Sequence, residues 1–220
     1  MIISQQDLIS QSESICLNIY QKYLKPDDVV FDFGAFKGVL SLAFASLGCK
    51  VYSIEASERN YHDLVHNVKD FKNITPILAA IHENDLGEVL TRFNDCIGLE
   101  HPLQKITYYT YKSLISKFNL PTPKFIKMDI EGMESVVLRS MEDVFINHRP
   151  IVQLSVHDTV THSIQCVYQK FPGFVPVSRG GYDFNKFFQM DYLAFDLNMN
   201  PKSSIGGFEE YILIPKEKYV

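Results

Sequence analysis

Three short stretches place acidic side chains beside glycines where the chain leaves an apolar run. They are Phe31-Asp32-Phe33-Gly34-Ala35-Phe36-Lys37-Gly38, Ile54-Glu55-Ala56, and Ile126-Lys127-Met128-Asp129-Ile130-Glu131-Gly132-Met133-Glu134. Glycines after a strand let the backbone turn sharply and approach a ligand closely, and the helix that follows offers unpaired N–H groups to a carboxylate or phosphate. The first stretch is spaced D-x-G-x-x-x-G, not the G-x-G-x-x-G of dinucleotide binding. An acid ahead of the first glycine repels a pyrophosphate and suits a ligand with a positive centre. Glu55 lies about 20 residues past that glycine, where an acid accepts hydrogen bonds from both hydroxyls of a ribose. Ala79-Ala80-Ile81 offers an apolar wall for an adenine ring, or simply sheet core.

Asp129 ends an apolar run, where a charge needs a partner or an open cleft. Two carboxylates two residues apart, Asp129 and Glu131, are unusual as pure scaffold. A structural reading remains open, with Glu131 complementing a helix dipole and Asp129 capping amides. Residues 179–188, Arg179-Gly180-Gly181-Tyr182 and the aromatics that follow, read as a flap presenting Tyr182 to a substrate, or as an ordinary hairpin edge.

These groups sit at the ends of a regular alternation. Apolar runs at 29–33, 50–54, 74–81, 125–129 and 151–156 read as strands, and helical periodicity follows in 39–47, 57–68, 112–118, from 133 onward, and 159–171. Residues 7–24 form a leading helix that stops before Pro26. Strands alternating with helices imply an α/β domain with a doubly wound, mostly parallel sheet of the seven-stranded type. Residues 192–195 and 211–214, with no clear helix between them, add an antiparallel hairpin at the C-terminal edge. Residues 87–93 and 106–109 are expected as short antiparallel strands. The domain division is a lead-in over 1–28 and one ligand-binding domain over 29–220. Such a sheet binds its ligand outside the carboxyl ends of its strands.

Composition limits the rest. In 220 residues, 46% are hydrophobic and the net charge is −5, which excludes a disordered chain and argues against nucleic-acid binding through bulk positive charge. No apolar run is long enough to span a bilayer, and Met1-Ile2-Ile3-Ser4 does not read as a signal peptide. Cys16, Cys49, Cys96 and Cys166 are dispersed, so free thiols in the cytoplasm are expected.

The three stretches together resemble the FkbM-type methyltransferases, Rossmann-like enzymes that use S-adenosyl-L-methionine, over roughly residues 28–158. The resemblance implies that Asp32, Gly34, Ala35 and Gly38 surround the methionine part of the cofactor and that Glu55 and Ala56 hold its ribose. It also implies that Asp129, Glu131 and Gly132 line the active cleft. Phe36 stands where the family usually has asparagine, and Thr110-Tyr111-Lys112 replaces an acidic stretch.

The implied reaction is O-methylation of a hydroxyl on a sugar, glycan or natural-product-like small molecule, in line at the sulfonium methyl. Asp129 is the first candidate for the base that takes the acceptor proton, and His157 the second. A metal set of His157, Asp158 and His162 with Asp129 has histidines five apart, off the i, i+4 spacing, and no metal is expected. The departures at Phe36 and 110–112 leave a non-catalytic cofactor-binding protein as the alternative. A nicotinamide oxidoreductase is disfavoured by the missing dinucleotide fingerprint.

Overall fold

The computed structural model describes residues 11–91, 103–157 and 181–220. Helix α1 (Gln11–Tyr23) leads into β1 (Val29–Phe33), α2 (Val39–Ser46), β2 (Lys50–Glu55), α3 (Glu58–Val68) and β3 (Ile74–Leu78). After β4 (Ala80–Ile81), β5 (Gly87–Thr91), β6 (Gln104–Tyr109) and α4 (Tyr111–Phe118) come β7 (Phe125–Met128), α5 (Glu134–Arg139), α6 (Glu142–Asn147) and β8 (Ile151–His157). The last part holds a short helix α7 (Lys186–Gln189), β9 (Tyr192–Phe195), β10 (Pro201–Lys202) and β11 (Phe208–Pro215).

Among the described residues the main sheet has the order β10-β9-β11-β8-β7-β1-β2-β3. From β8 to β3 its neighbours are parallel, and β11 runs antiparallel between β8 and β9. The antiparallel C-terminal pair expected from the sequence is therefore present, with its last strand inserted inside the edge and a short β10 added outside. Alternation along each strand sends side chains to opposite faces. Phe31, Phe33, Ile126, Met128 and Val152 pack with Leu114, Val137, Met141 and Phe145 of α4–α6. On the other face Val30, Phe125 and Ile151 pack with Ile19, Tyr20, Phe44, Leu64 and Val68 of α1–α3. The lead-in helix thus packs into the same core as the sheet.

Two element boundaries differ from the sequence reading. The run 74–81 is not one strand: the Ala79 N–H donates to the Glu55 carbonyl at 3.0 Å as the last rung of the β2–β3 pairing, and the chain then leaves the main sheet. Ala80 and Ile81 then pair with Tyr108 and Tyr109, and β5 pairs antiparallel with β6, as the alternation at 87–93 and 106–109 predicted. Beyond Gly132, one expected helix is two. Ser140 donates through both its amide and its hydroxyl to the Val137 carbonyl, and Met141 N–H bonds Leu138 three residues back, which tightens the turn and ends α5. The helix expected at 159–171, with Cys166, lies outside the described residues, as does Cys96. No described helix is long and apolar enough to cross a membrane.

Cys49 begins the path into β2 and is fully buried, and burial, aided by the Asp28 carboxylate, pushes its thiol up to about 11. The thiolate is the nucleophile, so Cys49 should resist alkylation. Treatment with iodoacetamide at about pH 8, followed by peptide mass mapping, should leave the Cys49 peptide unmodified in the native protein and modified after denaturation. Equal labelling in both states would contradict the packing of this corner.

Candidate active site

The site is built where three parallel strands end side by side. At the end of β1, the N–H groups of Gly34 and Ala35 both donate to the Ile54 carbonyl on β2, at 2.9 and 3.1 Å, while the Asp129 N–H donates to Phe33 at 3.1 Å from β7. The two turns touch. Gly34 has φ +75, and a Cβ there would lie 1.7 Å from the Asp129 carbonyl oxygen, so no other residue fits this crossing. Gly38, φ +89, lets α2 begin against α3, where an added Cβ would meet Leu64 at 2.7 Å.

Glu55 braces the glycine turn. One carboxylate oxygen accepts from the Phe36 N–H and the other from the Ser57 N–H, each at 2.8 Å. Burial raises its pKa, only partly offset by those two amides and by Lys127. Gln104 of β6 fixes the next residues, accepting from the Glu58 N–H and donating to the Ala56 carbonyl, each at 2.9 Å.

Beneath the turns lies a buried ion cluster. Asp32, Lys127 and Gln153 are register partners on β1, β7 and β8. The Lys127 ammonium donates to the Gly34 carbonyl at 3.0 Å and sits 3.6 Å from Asp32 and 3.7 Å from Asp129. Burial works against its charge, but the Asp32 and Asp129 carboxylates more than offset this and hold its pKa above the ordinary value. Asp32, 1% exposed, also accepts from the Ser41 hydroxyl at 2.6 Å, and Ser41 is paired with Ser53 at 2.7 Å. Gln153 continues the row to the Tyr20 hydroxyl of α1 and to Glu210 of β11.

On the other side of Asp129 lies His157, the last residue of β8. Its Nε2 is 3.8 Å from Asp129 Oδ1, and its Nδ1 is 3.1 Å from Glu134 Oε1, which also accepts from the Ile130 N–H at 2.9 Å. The Glu134 hydrogen bond leads the effects that raise the imidazole pKa, ahead of the opposing burial, and the Glu134 and Asp129 charges add to it. Glu131 is exposed with φ +55 and Gly132 has φ +92, so two successive left-handed residues swing the chain and bring Glu134 back under the β7 turn. Partial desolvation of its carboxyl in this turn, then the Asp129 charge, raises the Glu131 pKa. An open cleft of about 180 Å³ borders this group, lined by Asp129, Ser155, Val156, His157, Glu209 and Glu210.

The structure therefore brings Gly34, Ala35, Gly38, Glu55 and Ala56 together around the first turn, and Asp129, Glu131, Gly132 and His157 around the second. Asp32 lies below the first turn rather than facing the space above it. Ala80 is buried in β4 of the small sheet. Tyr182 does not border the cleft. It packs in the core edge-on to Phe184 beside Glu142, burial first and then that carboxylate pushing its phenol pKa up. Asp158 and His162 lie outside the described residues. Two residues of the site went unassigned by sequence reasoning, Lys127 and Glu134. A lysine inside an apolar strand and the second glutamate of the D-I-E-G-M-E run were the signals available for them.

Comparisons with known proteins point the same way. The profile of the methyltransferase FkbM domain matches residues 32–193. A ribosomal protein L11 methyltransferase of Campylobacter concisus is 27% identical over 145 residues, covering 60% of this chain and 50% of that protein. Another from Staphylococcus epidermidis is 27% identical over 129 residues, covering 57% of this chain and 41% of its own length. The chain thus spans half or less of these relatives. Among solved structures, a methyltransferase FkbM from Methylobacillus flagellatus superposes with TM-score 0.51 at 16% identity, over 90% of this chain and 50% of that one. Fibrillarin from Aeropyrum pernix, solved with natively bound S-adenosyl-L-methionine, superposes with TM-score 0.50 at 14% identity, over 91% of this chain and 74% of that one. At these identities the likeness is one of fold.

The ion cluster makes a direct energetic prediction. Lys127→Met leaves Asp32 buried without its cation, which should cost about 3–5 kcal/mol in urea denaturation. Adding Asp32→Asn should return part of that loss, because the stranded charge is gone. Losses that simply add in the double variant would show that the two groups do not interact.

Proposed function

The chain belongs to the FkbM methyltransferase domain family, and on that premise we propose that it transfers a methyl group from S-adenosyl-L-methionine to a hydroxyl oxygen. The acceptor class we assign is a sugar, a glycan or a natural-product-like small molecule. The observation that carries the reading is the crossing of the Gly34 turn with Asp129, which joins the cofactor side of the site to an acid-lined cleft through one backbone contact.

The residues present fit this cofactor. Each Glu55 oxygen, holding one backbone N–H, keeps lone pairs for ribose hydroxyls. The acids beside the turn suit a cationic ligand. Phe36 leaves its backbone bond to Glu55 intact, so the brace does not depend on the side chain at that position. When bound, the cofactor supplies an electrophilic methyl on a sulfonium.

The protein's own part is orientation and proton transfer. Holding the reacting groups in line supplies on the order of 7–11 kcal/mol in favourable cases. Asp129 faces the cleft and takes the hydroxyl proton. The oxygen forms its bond to carbon as the carbon–sulfur bond breaks and sulfur keeps the electron pair. His157 stands between Asp129 and Glu134, hydrogen-bonded to Glu134 and with its Nε2 3.8 Å from the Asp129 carboxylate.

The test is transfer of labelled methyl into a metabolite extract, with the product identified. Label should enter the small-molecule fraction, and label confined to protein or nucleic acid would overturn the acceptor class. Asp129→Asn, which keeps the backbone crossing, should slow transfer by about 10²–10⁴-fold while S-adenosylhomocysteine still binds. Glu55→Ala should instead abolish that binding, and retained binding would remove Glu55 from the cofactor site.

A further inference from the structure

We propose that Asp129, Glu134 and His157 form a binding site for a divalent transition-metal cation of the Mn²⁺ type, at the wall of the cleft where the acceptor oxygen is placed. The site itself stands on geometry, and its role toward the acceptor rests on the methyl-transfer reading above.

The three side chains come from the turn after β7, the first turn of α5 and the end of β8, and each offers one ligand atom within 4.8 Å of the others. Ligands bound to one ion at roughly 2.0–2.3 Å stand about 3–4.5 Å apart. The ring can offer only one nitrogen to an ion, and its two short approaches, Nε2 to Asp129 Oδ1 at 3.8 Å and Nδ1 to Glu134 Oε1 at 3.1 Å, use different ones, so loading requires the imidazole or one carboxylate to turn.

Charge and solvation point to the same place. Glu134 is 1% exposed, and the hydrogen bonds it accepts from the Ile130 N–H and the His157 ring both fall on one carboxylate oxygen. Asp129 Oδ1 is a buried atom with no hydrogen-bond partner among the described residues. Asp129, Glu131 and Glu134 gather around one imidazole, while the nearby Lys127 ammonium is already shared with Asp32 and the Gly34 carbonyl. The open cleft beside Asp129 and His157 leaves room for waters and an acceptor oxygen to complete a coordination shell. One imidazole with two carboxylates suits Mn²⁺, Fe²⁺ or Zn²⁺ better than the all-oxygen preference of Mg²⁺ or Ca²⁺.

A cation there makes the acceptor hydroxyl more acidic. The proton then leaves to water in the cleft, and the oxygen forms its bond to the methyl carbon while sulfur takes the electron pair of the breaking bond. Asp129 acts in that case as a ligand instead of the proton acceptor.

The full chain, stripped with a chelator, should be titrated with Mn²⁺ and the free ion followed by electron paramagnetic resonance, with Mg²⁺ as competitor. One Mn²⁺ should bind per chain, Mg²⁺ should compete poorly, and His157→Ala and Asp129→Asn should each weaken binding by about 10–100-fold. Circular dichroism of both variants confirms that they fold. No Mn²⁺ binding, or binding unchanged in both folded variants, overturns the site. Stripped protein that binds S-adenosylhomocysteine and transfers methyl at the full rate would refute the cation's role and leave the methyl-transfer reading standing. Protein that fails to bind S-adenosylhomocysteine would refute that reading, while the Mn²⁺ titration still decides the site.

Discussion

Lys127 points from an otherwise apolar strand into a space walled by Asp32, Asp129 and the Gly34 carbonyl, and the turns that build the site meet around it. An ammonium taken from water is costly unless its partners satisfy it well. Here the partners are the two acids that end adjacent strands and the carbonyl of the glycine that crosses between them. The pair therefore does more than balance charge, because it sets where the β1 turn lies relative to the β7 turn. The Gly34–Asp129 contact has no tolerance for a Cβ, so small errors in that relation would close the crossing.

From this joint the polar row extends outward. Ser41 and Ser53 hold Asp32 on one side, and Gln153, Tyr20 and Glu210 continue on the other, so helices α1 and α2 and strand β11 are tied to the same line. Above it, Glu55 and Gln104 fix the β2 end, and His157 with Glu134 fixes the wall of the cleft. The site is thus a set of strand ends held rigidly by buried polar contacts, the condition under which orientation contributes most to a displacement reaction.

Much of this was legible from residue types. An acid at the end of an apolar run marks a strand terminus facing an opening, which is why Glu55, Asp129 and His157 stood out. The glycines announced a turn that needs positive φ. What stayed hidden depended on three-dimensional pairing. Glu134 lies on a helix whose sequence pattern assigns it away from the apolar face, yet the left-handed pair Glu131 and Gly132 turns it inward. Lys127 gives no hint in sequence of which carboxylates it meets, since that depends on the register of β1 against β7. Tyr182 stayed open between two readings for a related reason, because aromatics after glycines look alike whether they face a substrate or a core, and its ring packs beside Phe184. The break after Ala79 lies where the chain, at Ala80 and Ile81, exchanges β2 for Tyr108 and Tyr109 as partners, and hydropathy carries no record of it.

The account rests on the claim that this joint of strand ends is a cradle for a sulfonium cofactor and not for a dinucleotide. Calorimetric titration of the full chain with S-adenosylhomocysteine and, separately, with NAD tests it most directly. The expected result is saturable binding of one S-adenosylhomocysteine per chain and no binding heat with NAD. Saturable NAD binding with none for S-adenosylhomocysteine would contradict it.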